Sequence, residues 1–238
     1  MLSKPVYSLE MLNLAAPGNE EVGQIEFNVK HRFYGTLHDQ PSDTFFGLDS
    51  GANVSIEIGA TVFKGLGIHA GRIRDSQEYL LGVNYSYPIP LTPMQTQLDV
   101  QYFNFKEFDL ESGEEERKNG GAFILSLKSD PLFDRLTPVV DVGFESQEQK
   151  FGAGFGASIM VMEGNGLLQK LSIICEYFPT KSEDNRDNSF SFGLKAETYG
   201  HHFDFIFSRD SHITFHRLMN GSTINGGLRF GFNIKRYL

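Results

Sequence analysis

Apolar and polar residues alternate along most of this chain with a period of two. Over residues 24–34, Ile25, Phe27, Val29 and Phe33 fall on one side, against Gln24, Glu26, Asn28, Lys30 and Arg32 on the other. Over residues 53–62, Val54, Ile56, Ile58, Ala60 and Val62 oppose Asn53, Ser55, Glu57, Gly59 and Thr61. Successive side chains of a strand point to opposite faces, so each run predicts a strand with one apolar and one polar face. Each run is about ten residues long, enough to cross a bilayer when tilted.

Further strands are predicted over residues 65–74, 79–87, 97–106, 123–127, 140–144, 151–161, 171–177, 190–196, 203–207 and 228–238. In the first of these the alternation of Leu66, Ile68 and Ala70 breaks at Arg72, which predicts a bulge there. No helical period persists beyond a turn or two, and no shift in composition marks a boundary. The expected fold is all-β, a closed antiparallel transmembrane β-barrel of about twelve strands over residues 24–238. Residues 1–23, with Pro5, Pro17, Gly18 and little period, read as a loosely attached N-terminal periplasmic segment.

The connections alternate between long and short. Residues 37–51, 107–120, 179–187 and 209–222 form the long set, and 63–65, 91–95, 163–166 and 198–200 the short one. The connections near Asp75 and Gln147 depart by being short, and 128–136 by being longish. Bacterial outer-membrane barrels carry long loops outside and short turns inside, and an even strand number puts both termini on the periplasmic side.

Composition fits a barrel that is greasy outside and polar within. Of 238 residues, 40 % are hydrophobic and mean hydropathy is -0.26, yet there are 22 Phe and 9 Tyr, with no Trp. A net charge of -9 leaves no basic stripe for phosphates, which argues against nucleic acid as a partner. The single Cys175 excludes an internal disulfide framework and falls on an apolar face. The opening Met1-Leu2-Ser3-Lys4-Pro5 shows no apolar run of the secretion-signal kind, so an exported protein would stand here in mature or altered form. A soluble lipocalin-like barrel would have to bury the charges of the polar face, at great cost. A large sandwich that buries the Phe face is the remaining soluble alternative.

The segments Phe27-Asn28-Val29-Lys30-His31-Arg32-Phe33 and Phe45-Phe46-Gly47-Leu48-Asp49-Ser50-Gly51-Ala52-Asn53, followed by Gly67-Ile68-His69-Ala70-Gly71-Arg72, resemble a family of uncharacterised outer-membrane β-barrels. That family is common in Bacteroidota and catalogued as the domain of unknown function 5777. The resemblance covers roughly residues 24–90 and implies the fold and the membrane, without any activity. The last strand, Arg229 to Leu238, resembles the terminal signal read by barrel-insertion machinery, although it ends in Leu instead of Phe or Trp.

Candidate chemistry is sparse. Asp210-Ser211-His212 is not a triad by adjacency, and His212 with His216 supplies too few ligands for a metal. The acidic stretch Glu107, Asp109, Glu111, Glu114, Glu115 and Glu116 has oxygen ligands but lacks the glycine-pinned order of a Ca²⁺ loop, and reads as a solvated loop. His201 and His202 lie near a periplasmic turn. Gly152, Gly154 and Gly156 fall on the inward face of one strand with no helix following, so they cradle no phosphate. Glycine on an inward face removes side chains from the lumen or lets a bulky element pack against the wall. No catalytic residue, metal or cofactor is expected, and lipid of the outer membrane is the expected surrounding.

Two functions compete. One is a narrow passive pore for small polar solutes or ions, lined by Glu26, Lys30, Arg32, Glu57, Asp99, Asp141, Glu176, Lys195, Glu197 and Arg229. The alternative is a structural or docking barrel, filled by its own charge ladders, that holds a periplasmic or surface protein partner. A lipid-active hydrolase is weaker still, because His31 has no outward Ser beside it. For a pore, the acids of the inward face outnumber the bases, which predicts weak cation preference.

Overall fold

Antiparallel strands follow one another around a ring, each paired with its sequence neighbours, and the first strand pairs with the last. The computed structural model describes residues 11–18, 21–39, 41–108, 115–164, 166–180, 186–221 and 227–238. The strands are β1 (Ile25–Phe33), β2 (Ala52–Phe63), β3 (Leu66–Ile73), β4 (Glu78–Pro88), β5 (Met94–Phe108), β6 (Glu115–Ser129), β7 (Leu136–Glu145), β8 (Lys150–Glu163), β9 (Leu168–Phe178), β10 (Ser189–Thr198), β11 (His201–Ser208) and β12 (Arg229–Tyr237). Closure runs through the β1–β12 ladder, with Val29 opposite Ile234 and Arg32 opposite Gly231. A Cβ at residue 231 would stand 2.6 Å from the His31 carbonyl and 2.7 Å from Arg32 Cδ, so glycine is what lets Arg32 lie across the seam.

Alternation decides which face meets lipid. Phe27, Ile56, Ile58, Leu81, Val83, Val100, Phe123, Leu125, Phe155 and Phe205 are exposed, and Val29 and Phe230 lie on the same outward face, half-buried. An apolar band of this extent is incompatible with water and fits the hydrocarbon of a bilayer. A dry Phe-filled sandwich is therefore excluded. The turn between β10 and β11 is tight, and Gly200 enters it with φ 72°, where glycine carries no steric cost.

Three sequence expectations are corrected. The stretch 107–120 is mostly strand: β5 and β6 stay paired out to Phe108 opposite Glu115, and only 109–114 falls between them. At the outer end of the ladder Glu115, Glu116 and Arg117 are exposed on both faces and alternation disappears, and Lys106–Glu115 at 2.5 Å and Lys118–Glu107 at 2.6 Å tie the two strands. Asp109, Glu111 and Glu114 lie outside the described residues. Arg72 causes no bulge: it pairs in register with Tyr79, and the irregularity falls between Thr61 and Phe63 in β2. Finally, the described part of the N-terminal segment does not hang in the periplasm. It enters the barrel.

Candidate functional site: the lumen

Residues 11–16 thread the interior as a strip that bends over Leu12–Leu14 and is held by carboxylates. Glu176 on β9 accepts hydrogen bonds from the Asn13 amide (2.8 Å), the Asn13 side-chain Nδ2 (2.8 Å) and the Leu14 amide (3.0 Å). Asp141 on β7 accepts from the Ala15 amide at 2.8 Å. Arg32 Nη2 donates to Asn13 Oδ1 at 2.9 Å, and Asn233 Nδ2 to the Leu12 carbonyl at 3.2 Å. These side chains replace the neighbouring strand that the strip lacks. Met11, Leu12 and Leu14 are fully buried. Met11 and Leu14 sit on the glycine stripe: a Cβ at Gly154 would collide with Leu14, and one at Gly156 would stand 2.5 Å from Met11.

A second element enters from the outer end. Between β11 and β12 the chain folds inward and makes one helical turn, α1 (Phe215–Leu218). Phe215 occupies the space over Gly143, and Met219 that over Gly152, each 2.5 Å from where a Cβ would be. His216 stacks on Phe103 at 4.1 Å with its Nε2 3.1 Å from Glu78 Oε1. Arg217 Nε donates to Glu78 Oε2 at 3.1 Å while its guanidinium lies 4.1 Å from the Phe105 ring centre. The start of this connection is pinned by Asp210, whose Oδ1 accepts the His212 amide at 2.9 Å and sits 3.0 Å from His212 Nδ1. Burial opposes charge on both groups, yet the partner prevails. It holds the Asp210 carboxyl below the usual carboxylate range and the His212 imidazole above its own. Ser211 Oγ has no hydrogen-bond partner in this arrangement, so Asp210, Ser211 and His212 form no relay. No group of metal-ligating side chains gathers among the described residues.

What the two insertions leave is a cavity of about 170 Å³ along β1–β5 and β12, from Thr61 and Tyr237 at the periplasmic rim to Phe215. Its walls are ion pairs: Lys30 Nζ–Glu57 Oε2 at 3.2 Å, Lys235 Nζ–Glu26 Oε1 at 2.9 Å, and His69 Nε2–Asp99 Oδ1 at 3.1 Å. Gln101 Nε2 donates to the other oxygen of Asp99 at 2.7 Å.

Of the residues the sequence points to, Glu26, Lys30, Glu57 and Asp99 line this cavity together. The other six face inward without reaching it. Arg32, Asp141 and Glu176 hold the N-terminal strip or its neighbours. Lys195 lies 3.8 Å from Asp204, and Glu197 3.8 Å from Lys170. Arg229 donates to the carbonyls of Tyr34, Arg209 and Gly227, fastening the outer loops. His69 and Gln101 complete the cavity wall and were passed over, although their parity puts them on the inward faces of β3 and β5.

Three solved structures illustrate the likeness. The KdgM porin aligns at TM-score 0.51 and 9 % identity over 90 % of this chain and 98 % of that one. The NanC porin aligns at 0.48 and 7 %, over 88 % and 97 %. The outer membrane protein Omp33 of Acinetobacter baumannii aligns at 0.49 and 9 %, over 91 % and 98 %. At such identity the similarity to KdgM is one of fold. No curated protein matches the sequence. The family described as "Membrane bound beta barrel domain" matches residues 8–120 and 125–238, nearly the whole chain. With a lipid-facing apolar band around an even number of strands, this porin-like barrel is a protein of the bacterial outer membrane, and it belongs to that family, DUF5777.

Proposed function

We propose that the protein is a narrow passive pore for small polar solutes or ions, and not an enzyme. The observation that carries this reading is the charge-lined cavity beside the N-terminal strip. It has room for on the order of ten waters and reaches the periplasmic rim. Apolar cavities stay dry, whereas one walled by Glu26, Lys30, Glu57, His69, Asp99 and Lys235 holds water and ions. Phe215 and its neighbours Ile213 and Thr214 bound the cavity away from that rim, so conduction requires the β11–β12 connection to yield a little. That narrowness restricts passage to small species.

Its acids Glu26, Glu57 and Asp99 face the bases Lys30 and Lys235, with His69 adding charge only when protonated. One unbalanced carboxylate gives a weak preference for cations. The protein reconstituted in planar bilayers should show steady, small conductance, enlarged when residues 1–18 are deleted. Silence from both forms refutes the pore and favours a filled, structural barrel. Reversal potentials in a salt gradient should show the cation preference, reduced in Glu57→Gln with Asp99→Asn; anion preference in the unaltered protein would rule out this account of the lining.

A further inference from the structure

On the outside of the barrel, at the outer rim, the lipid-facing surface is interrupted by a polar row. Arg72 on β3 lies opposite Tyr79 on β4, Tyr79 opposite Asn104 on β5, and Asn104 opposite Asn119 on β6. By parity all four share the outward face with Leu81, Val100 and Phe123. Arg117, two residues further out on β6, is exposed on that same face.

These side chains are organised around one ring. The Arg72 guanidinium carbon lies 4.7 Å from the Tyr79 ring centre, and that of Arg117 5.6 Å from it. Arg117 reaches across β5 by donating to Asn104 Oδ1. Asn104 is fixed in turn, since its Nδ2 donates to Asn119 Oδ1 at 2.6 Å, where Tyr102 Oη also donates at 2.7 Å. Among the described residues neither guanidinium is in a salt bridge. Glu116, the adjacent acid, falls on the opposite parity of β6, and Glu115, on the Arg117 side, pairs with Lys106 at 2.5 Å while also feeling the Arg117 charge. Two cations thus converge on one aromatic ring outside any salt bridge among the described residues. Arg72 Nη1 donates to the Ile73 carbonyl and Arg117 Nη1 to Asn104, and the five N–H donors of each guanidinium leave others for a further acceptor.

We infer that Arg72 and Arg117, arranged about Tyr79, form a binding site for the phosphate of an outer-leaflet lipid headgroup. A guanidinium presents paired N–H donors that match two oxygens of a phosphate, and an anion between two of them relieves their repulsion. The height in the membrane selects a lipid over a soluble ligand. The row sits where the apolar band ends, the level of headgroups and of aromatic girdles. Acyl chains attached to a phosphate held there would descend over Leu81, Val83 and Val100, all exposed.

The test is native mass spectrometry of the intact protein in a neutral detergent, titrated with dioctanoyl phosphatidic acid, with dioctanoylglycerol, or with inorganic phosphate. Phosphatidic acid should bind, and Arg72→Gln with Arg117→Gln should weaken it by about tenfold, the loss expected for two charge-assisted contacts at an exposed site. Arg117→Gln alone should lose part of that. Arg236→Gln, an exposed arginine on the same face at the opposite rim, should change nothing. Circular dichroism confirms that each variant remains a barrel. Equal binding of the neutral glyceride, equal binding of inorganic phosphate, or an unaltered affinity in the double variant would each overturn the inference.

Discussion

Replacing Glu176 by Gln should unseat the N-terminal strip while leaving the barrel closed. Glu176 is fully buried and accepts three hydrogen bonds from Asn13 and Leu14, all at 2.8–3.0 Å. Its partner Asn13 also takes the Arg32 donor. The substitution turns one acceptor oxygen into an NH₂ group, which cannot accept. Whichever way the new amide turns, at least one donor of Asn13 or Leu14 loses its acceptor, and the surviving bonds lose their charge assistance. Hydrogen bonds to charged groups contribute about 1.5–3 kcal/mol, so the seated state should become roughly ten- to a hundredfold less favoured. Amide hydrogen exchange reads this directly, because local opening is reported residue by residue. The amides of Asn13, Leu14 and Ala15 should exchange faster by that factor, while those of β10 and β11 keep their protection. Unchanged exchange at residues 13–15 would refute the clamp. Equal acceleration in β10 would show that Glu176 supports the wall and not the strip.

Other outcomes follow from the same geometry. The raised His212 imidazole contributes stability that is present below its ordinary value of 6.5 and lost as pH rises through the folded value. The lowered Asp210 carboxyl contributes stability that is present above 3.8 and lost as pH falls through its folded value. Protease cleavage within residues 209–221 should therefore be slowest between those two pH values and quicken on either side, and Asp210→Asn should flatten the profile. Leu in place of Gly154 would put side-chain atoms where Leu14 now lies, so its single-channel conductance should exceed that of the unaltered protein. Arg in place of Ile56 or Phe155 on the lipid face should cost about 2–4 kcal/mol near the midplane, read from unfolding in lipid.

The wall was legible in the sequence because its physics is local. Period-two alternation follows from two solvents on two faces of one sheet, and Phe27, Ile56, Phe155 and Phe205 obey it. Where both sides are wet the pattern disappears, so the outer ends of β5 and β6 read as loop. The interior was legible only by parity. Alternation states that Glu176 and Asp141 point inward, but the strip they grip has no period of its own, and its partners lie 126 and 163 residues away in sequence. Two faint signals were present. One was the glycine stripe, which is compatible with either an emptier lumen or a bulky neighbour. The other was the apolar inward residues Phe103, Ile124, Ile174 and Ile206, which a water-filled lumen would not favour.

Those apolar residues divide the interior into unlike halves. Along β5–β9 and β11, Phe103, Phe105, Ile124, Val139, Ile174, Phe178 and Ile206 gather with Met11, Leu12, Leu14, Phe215, Leu218 and Met219 into one buried cluster. Along β1–β5 and β12 the walls are ion pairs around water-sized space. A tally of inward charges therefore misjudges the lumen. Glu176 and Asp141 lie on the packed side, buried and turned to the amides of Asn13, Leu14 and Ala15, so a passing ion does not meet them. Electrostatic influence on a permeating ion falls to the wet side, where acids and bases stand in adjacent strands within about 3 Å of each other. Pairs so close present dipoles instead of net charge, and a dipole's field decays faster with distance than that of a lone carboxylate. The packed half thus sets how narrow the lumen is, and the paired half sets how little it discriminates by charge.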